Sequence, residues 1–341
     1  MIELLKELCA LSGVSGREEQ VRTYIAEHAN PYADKIEVDP MGNLMVFRKG
    51  ERSDKTLMVC AHMDEVGLIT TGITADGYLK FDFVGGVDRR VAIGKRVWVG
   101  EHRVPGIIGV KAFHLVKGNE GKSVPEVSAL YVDIGAENRE AAEQLVSLGD
   151  VATFDADVFE FGSGLLKAKA IDDRLGCAVL LKLMEEKPGC DTWFVFTCQE
   201  EVGTRGAGAA AFRIRPDAAM IVEGTTAADL PGIEAHKTIC KTGGGAVLPF
   251  MDRSSVYNKP LRDCMIRLAE ENSIAWQTKQ MIAGGTDAGT IQRSCAGVPV
   301  VGVAAALRNI HSPASIGRIS DFEAVYKLAA LFMKEYSKGE L

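Results

Sequence analysis

Two glutamates stand side by side at Glu200 and Glu201, directly behind the apolar run 192–198. Sheets of α/β proteins bind their ligands at the carboxyl ends of strands, and neighbouring side chains there point in different directions. One carboxylate can then hold a metal ion while the other takes a proton from water. Paired glutamates are more often a solvated loop, so the pair needs company. A second signal is His62, which follows the almost wholly apolar run 56–60, with Asp64 two residues on. Residues two apart in extended chain share a face, so Asp64 can reach the far ring nitrogen and fix the tautomer of a metal-ligating His62. A lone histidine after a strand is usually structural.

Three further sites repeat the pattern. Asp172 sits in Ala170-Ile171-Asp172-Asp173-Arg174, where a strand-like run enters a helix; helix N-caps favour Asp, so capping is the plain alternative. Glu223 ends the apolar run 218–222, and His311 stands two residues before Pro313, which keeps the chain extended. Two histidines and three carboxylates at strand ends suit two divalent cations. If Asp172 bridges them, the charges nearly cancel. Mixed nitrogen and oxygen donors suit zinc, with cobalt or manganese as substitutes. Glu200, outside that ligand set, is left as general base. The expectation is a two-metal hydrolase.

The elements that position these residues are legible as patterns. Ser15 and Glu18 read as a capping box before a helical face at Val21, Tyr24, Ile25 and Ala29. Strands are expected at 43–47 and 56–60. From 67 to 161 the texture changes to short β-type runs (97–99, 106–110, 130–134, 151–154) between turn residues, with one short helix candidate at 138–146. After Lys167 the pattern returns to α/β, with helices expected over 173–186 and 258–272, strands over 192–198, 218–222 and 298–303, and a last helix capped by Ser320 and Glu323. The fold class expected is α/β, a mixed central sheet covered by helices. Residues 1–66 and 162–341 would make the catalytic domain, and 67–161 an inserted small β-barrel.

Bulk properties narrow the function. With 341 residues and 47% of them hydrophobic, the chain can fill a large core and is not a disordered segment. A net charge of −7 without a basic stripe argues against nucleic acid and anionic membranes as partners. Eight cysteines lack paired metal or redox spacing and several lie in apolar runs, which fits small buried hydrophobes in a reducing, cytoplasmic compartment. The first apolar stretch is broken by Glu3, Lys6 and Glu7, unlike a signal peptide. Gly121-Lys122-Ser123 lacks the first glycine of a phosphate loop, and Gly162-Ser163-Gly164 lacks the spacing of a nucleophile elbow. His114 is read as a structural histidine.

The segments AHMDEVG, AIDDR, QEEVGTRGA, VEG, GGTDAG and IHSP, in this order, resemble family 42 of the metallopeptidases, over essentially the whole chain. The resemblance implies an aminopeptidase acting on peptides. It implies Asp172 bridging two ions, His62 and Glu223 on one, Glu201 and His311 on the other, Glu200 as base and Asp64 behind His62. It implies dimers through the inserted domain, assembled into a homo-oligomeric dodecamer. Glu223 departs from the family pattern, which leads one to expect Asp there. Asp287, in Gly284-Gly285-Thr286-Asp287-Ala288-Gly289, belongs to a motif near the substrate cleft, although a capped helix start explains it equally well. The competing functions are an N-acyl amino acid deacylase with the same site and a non-catalytic, metal-stabilised assembly subunit. A metal-free glycosidase is a weaker rival.

Overall fold

A computed structural model describes residues 1–118 and 120–339. Helices α1 (Ile2–Ala10) and α2 (Glu19–Ala29) precede strands β1 (Lys35–Val38), β2 (Leu44–Arg48) and β3 (Arg52–His62). Six strands follow, β4 (Gly67–Ile73), β5 (Leu79–Val84), β6 (Arg96–Val99), β7 (Val104–Gly109), β8 (Tyr131–Asp133) and β9 (Val151–Phe154). Short helices α3 (Arg89–Ala92) and α4 (Arg139–Glu143) fall among them. Next come β10 (Phe159–Phe161), β11 (Leu165–Ala168), α5 (Ile171–Leu183), β12 (Cys190–Thr197), α6 (Arg205–Ile214) and β13 (Ala218–Thr226). The chain continues through β14 (Ala246–Leu248), α7 (Lys259–Glu271), β15 (Trp276–Thr278), α8 (Asp287–Ile291), β16 (Val300–Leu307), β17 (Ser315–Arg318) and α9 (Ile319–Tyr336).

Eight strands form one mixed sheet in the order β1-β2-β12-β3-β13-β16-β14-β15. The four apolar strands β12, β3, β13 and β16 lie together at its centre and are mutually parallel. Strand alternation sends Leu57, Val59 and Ala61 of β3 to one face, where they pack with residues of α1, α2, α5, α7 and α9. Met58 and Cys60 point to the other face, against Ala207, Ala210 and Ala211 of α6 and Ala288 and Ile291 of α8. A strand buried on both faces has to be apolar throughout, which is why these segments stand out in the sequence. Helix α6 does not stand out. Its buried face is Gly206, Ala207, Ala210 and Ala211, with no large apolar side chain.

Strands β4-β5-β8-β7-β6-β9 close into an antiparallel barrel filled by Leu68, Phe81, Val97, Val99, Ile108, Val132 and Phe154. A closed barrel leaves no free strand edge. A third sheet, β10-β11-β17, joins the segment after the barrel to the end of the chain. The mixed helix-covered sheet with a small barrel is the fold expected from the sequence.

Both expected capping boxes are absent. Helix α2 starts at Glu19, and the Ser15 hydroxyl donates to Asp64 Oδ2 at 2.6 Å instead. Glu18 Oε1 accepts the N–H groups of Gly16 (2.7 Å) and Gln199 (3.1 Å). The polar turn before the helix is occupied in tying strand-end loops together. Helix α9 begins at Ile319, so Ser320 lies inside it, and no side chain caps its start.

Candidate active site

Because β3, β12, β13 and β16 are parallel, the side chains at their carboxyl ends meet at one edge of the sheet. His62 is the last residue of β3 and is 1% exposed. Its Nε2 lies 3.5 Å from Asp172 Oδ1 and 3.8 Å from Glu223 Oε2. His311, in the loop between β16 and β17, approaches from elsewhere, with Nε2 3.6 Å from Asp172 Oδ2 and 3.3 Å from Glu201 Oε2. Asp172 thus offers one oxygen to each imidazole. Its own backbone is extended although it falls within the first turn of α5, and Gly224 N–H donates to Oδ1 at 3.2 Å. The five residues singled out at strand ends are brought together.

Asp64 organises this edge from below. Its carboxylate accepts the N–H of Glu200 (2.9 Å), the N–H of Glu201 (3.1 Å) and the Ser15 hydroxyl. Toward His62 it stands 3.5 Å from Nδ1, and the nearer acceptor at that nitrogen is its own backbone carbonyl at 3.1 Å. The other ring nitrogen of His311 faces the carbonyl of Gly86, 3.2 Å away on the connection that leaves β5 of the barrel. A Cβ on Gly86 would sit 3.2 Å from that same nitrogen, so a side chain there would press His311 back by a few tenths of an ångström.

The electrostatics are those of acids crowded together out of water. Burial pushes Glu200 well above the usual carboxylate range; His62 opposes this, and Asp287 and Glu201 add to it. Burial takes Glu201 up to about 7 against the pull of His311. Burial also raises Glu223, with His62 opposing. Burial works against Asp172 as well, yet His311 and His62 hold it well below its ordinary value. The imidazoles respond in kind. Burial disfavours the charge on His311, but Asp172 and Glu201 lift it to about 9. A site that gathers this much negative charge is built for cations.

Two oxygens make the same point. Oε1 of Glu201 and Oε1 of Glu223 are buried with no hydrogen-bond partner among the described residues. Buried oxygens of this kind normally have partners, and a metal ion supplies one. Donor atoms of His62, Asp172 and Glu201 lie within 4.8 Å of one another, as do those of His62, Asp173 and Glu223. Asp173 is already engaged, however. It accepts the N–H of Gly176 (2.9 Å) and of His62 (3.3 Å), so Asp172 is the carboxylate left facing both imidazoles. The donor set fits divalent metal ions.

A cleft of about 670 Å³ opens over the site, lined by His62, Asp172, Glu200, Glu201, Glu223 and His311 and, beyond them, by Thr225, Lys279 and Thr286. Asp287 is not part of that lining. It is 1% exposed, receives the Thr197 hydroxyl at 2.5 Å, and is pushed up to about 6 by burial. Its neighbour Thr286 caps α8 by accepting the Ala288 N–H. His114 is exposed on a 3-10 turn of the barrel connection.

Sequence reasoning missed a buried ion cluster behind the site. Glu65 accepts from Lys169 Nζ (2.7 Å) and from Gly13 N–H (3.1 Å), and Arg174 Nη2 lies 3.4 Å away. Lys169 also donates to Leu11 O at 2.6 Å, and Arg174 to Met63 O at 2.9 Å. The cluster pins the loop that carries Asp64 to α1 and α5. Its only trace in the sequence is three charged residues at positions that are otherwise apolar.

The model of the M42 glutamyl aminopeptidase family matches residues 42–328. A putative aminopeptidase of Acetivibrio thermocellus is 39% identical over 330 residues, covering 96% of this chain and 97% of that protein. A TET aminopeptidase from a marine sediment thaumarchaeon superposes with a TM-score of 0.94 at 34% identity, covering 99% and 98% of the two chains. The TET1 peptidase of Pyrococcus horikoshii, described as assembling into a tetrahedron or a large octahedral shell, gives 0.86 at 33% identity over 97% and 98%. A lysyl aminopeptidase of Pyrococcus furiosus and a glutamyl aminopeptidase of Lactococcus lactis are each 29% identical, over 98% and 94% of this chain and 96% and 92% of their own lengths. Family model, relatives and geometry agree: this chain belongs to the M42 glutamyl aminopeptidase family of peptide hydrolases.

Proposed function

We propose that this protein is a dinuclear metalloaminopeptidase that removes residues from the N-terminus of peptides. The observation that carries the reading is Asp172, whose two oxygens face the imidazoles of His62 and His311. His62 and Glu223 would hold one ion, Glu201 and His311 the other, with Asp172 shared. Zinc suits these donors, with cobalt or manganese as substitutes. Two such ions, when bound, make a water acidic and offset the charge that develops on a peptide carbonyl oxygen.

The chain's own groups do the rest. Glu200 lines the cleft, and its burial among other acids gives it high affinity for a proton. It accepts the proton of the attacking water and delivers it to the leaving amine. Asp64 fixes the backbone of Glu200 and Glu201 through two N–H bonds, so base and ligand keep their separation. One of the ions, together with the acids that hold it, would suit the amine of a free N-terminus, which makes the activity an exopeptidase one. Glu223, one methylene longer than Asp, lies within β13 ahead of Gly224, Thr225 and Thr226 and reaches the same cleft.

The same reading divides the chain into a catalytic domain, 1–66 and 162–341, and an inserted barrel domain, 67–161. It assembles dimers into a dodecameric shell, as the tetrahedral particle of the Pyrococcus horikoshii relative suggests. It sets the protein in the cytoplasm, in keeping with eight free cysteines, seven of them buried. No helix of the described residues is long and apolar enough to cross a membrane. Partners are peptides, with no role for nucleic acid or lipid.

The test is cleavage of amino-acyl anilides and their N-acetylated counterparts by the wild type and by Glu200→Gln. Free-amine substrates should be cleaved and blocked ones spared. The variant should keep its metal and lose about 10²–10⁴-fold in rate. Cleavage of blocked substrates alone would install the deacylase reading. No turnover with both ions bound would leave an assembly subunit.

A further inference from the structure

Resting on the two-ion reading, we propose that the barrel governs one of the ions, the one on Glu201 and His311, through the turn Gly85-Gly86. The turn lies on the connection from β5 to α3. Its next residue, Val87, packs on the barrel core, to which Ala92 also belongs. The barrel therefore sets the position of the turn, yet both glycines abut ligands that stand at the sheet edge. The carbonyl of Gly86 faces His311 Nδ1 at 3.2 Å. Gly85, at φ +80°, lies so close to Glu201 that an added Cβ would stand 3.3 Å from the Glu201 Cβ and 2.8 Å from Val66. One short turn thus touches both residues that belong to that ion alone.

A histidine that binds a metal through one ring nitrogen donates the other N–H to a carbonyl or carboxylate, which fixes its tautomer and aim. For His311 that acceptor is Gly86 O, so Nε2 turns its lone pair toward Asp172 and Glu201. Bonds within its own loop, Ser312 Oγ to Asn309 O (2.6 Å) and Ala314 N–H to Ser312 Oγ (3.1 Å), brace the backbone but not the ring. His62 differs, because its Nδ1 faces the carbonyl of Asp64 at the sheet edge itself. The same asymmetry shows in a cavity of about 290 Å³ where the barrel meets that edge. Phe154 of β9 lines it with Asp172, Glu201 and His311, whereas His62 and Glu223 stand outside its lining. The ligands of one ion are held from within the sheet, and those of the other need the barrel docked against them. Linkage is reciprocal, so filling that second site tightens the docking.

The experiment titrates zinc against a chromogenic chelator in the wild type, Gly86→Ala and Gly72→Ala, counting ions and ranking their affinities. Gly86 is not left-handed, so alanine fits its backbone but crowds His311. Metal–ligand bonds keep to within about 0.2 Å of their ordinary length, and a push of a few tenths of an ångström exceeds that. Gly86→Ala should hold one ion as the wild type does and the other about 10–100-fold more weakly. Gly72→Ala, in β4, where an added Cβ meets Lys80 Cβ at an ordinary 3.5 Å, should keep both. Hydrogen exchange of the wild type decides even if the variant does not fold: zinc should slow exchange over 85–92 more than in β6 and β7. Equal weakening of both ions, two unchanged ions in Gly86→Ala, the same loss in Gly72→Ala, or no added protection over 85–92 overturns the proposal. A wild type that takes up no second ion instead sinks the two-ion reading beneath it.

Discussion

The backbone N–H of Glu200 points at Asp64 Oδ1 from 2.9 Å, and the N–H of Glu201 reaches the other oxygen of the same carboxylate at 3.1 Å. One side chain therefore sets the positions of the proposed base and of a proposed ligand together. Replacing Asp64 by Asn puts an NH2 group where an acceptor is needed and turns one of those N–H groups out of its bond. Partners that orient metal ligands typically cost 10–100-fold in affinity or activity when lost. Asp64→Asn should show a loss of about that size in metal titration and in peptide cleavage, with its secondary structure intact. An unchanged metal affinity and rate would remove Asp64 from the site.

Cations should also hold the protein together. Without them, Glu201 and Glu223 keep a buried oxygen unpartnered and several acids face one another. A ligand at 100 times its Kd stabilises by about 2.7 kcal/mol. Chelation should lower the melting temperature and abolish cleavage, and zinc should restore both. Melting that ignores chelator and zinc alike would count against a metal site.

Just past the end of β16, Arg308 donates to Asp229 through Nε (2.9 Å) and Nη2 (2.7 Å). Burial works to raise the Asp229 pKa, but Arg308 and Thr242 outweigh it and hold it below the ordinary value. A depressed folded-state pKa means stability that is present above the unfolded value, about 3.9, and is lost as the pH falls through the folded one. The melting temperature of the wild type should fall more steeply than that of Asp229→Asn below about pH 4. Parallel curves for the two proteins would show that the pair contributes nothing.

Lys169 and Glu65 form an ion pair at 6% and 3% side-chain exposure. Removing one partner of a buried pair strands the other, at a cost of about 3–5 kcal/mol. Lys169→Met should lose stability of that order in denaturant unfolding, and cleavage should weaken because Asp64 sits beside Glu65. A loss below about 1 kcal/mol would mean that Arg174 alone satisfies the glutamate.

The sheet was readable because stretches 57–61 of β3, 194–196 of β12, 218–222 of β13 and all of β16 are buried on both faces and are apolar. Of the proposed ligands, His62, Glu201, Glu223 and His311 were readable because each ends or follows such a run, whereas Asp172 follows the short strand β11 of another sheet. What escaped were contacts between segments far apart in the chain. Ser15 and Glu18 have the residue types and spacing of a capping box, yet Asp64 and Gln199 take their hydrogen bonds. Nothing local distinguishes the two outcomes. Strands β14 and β15 are three residues each, too short to carry a period.

The loop bearing His311 and the strand bearing His62 are separated by most of the chain, and they meet only when the parallel strands β3, β13 and β16 lie side by side. Such pairings form late, because their loop-closure entropy must be met before any contact rewards it. In the proposed reading the metal-holding set is therefore complete only once those pairings are made, and a half-folded copy would lack the centre that could cleave the free ends of its neighbours during synthesis.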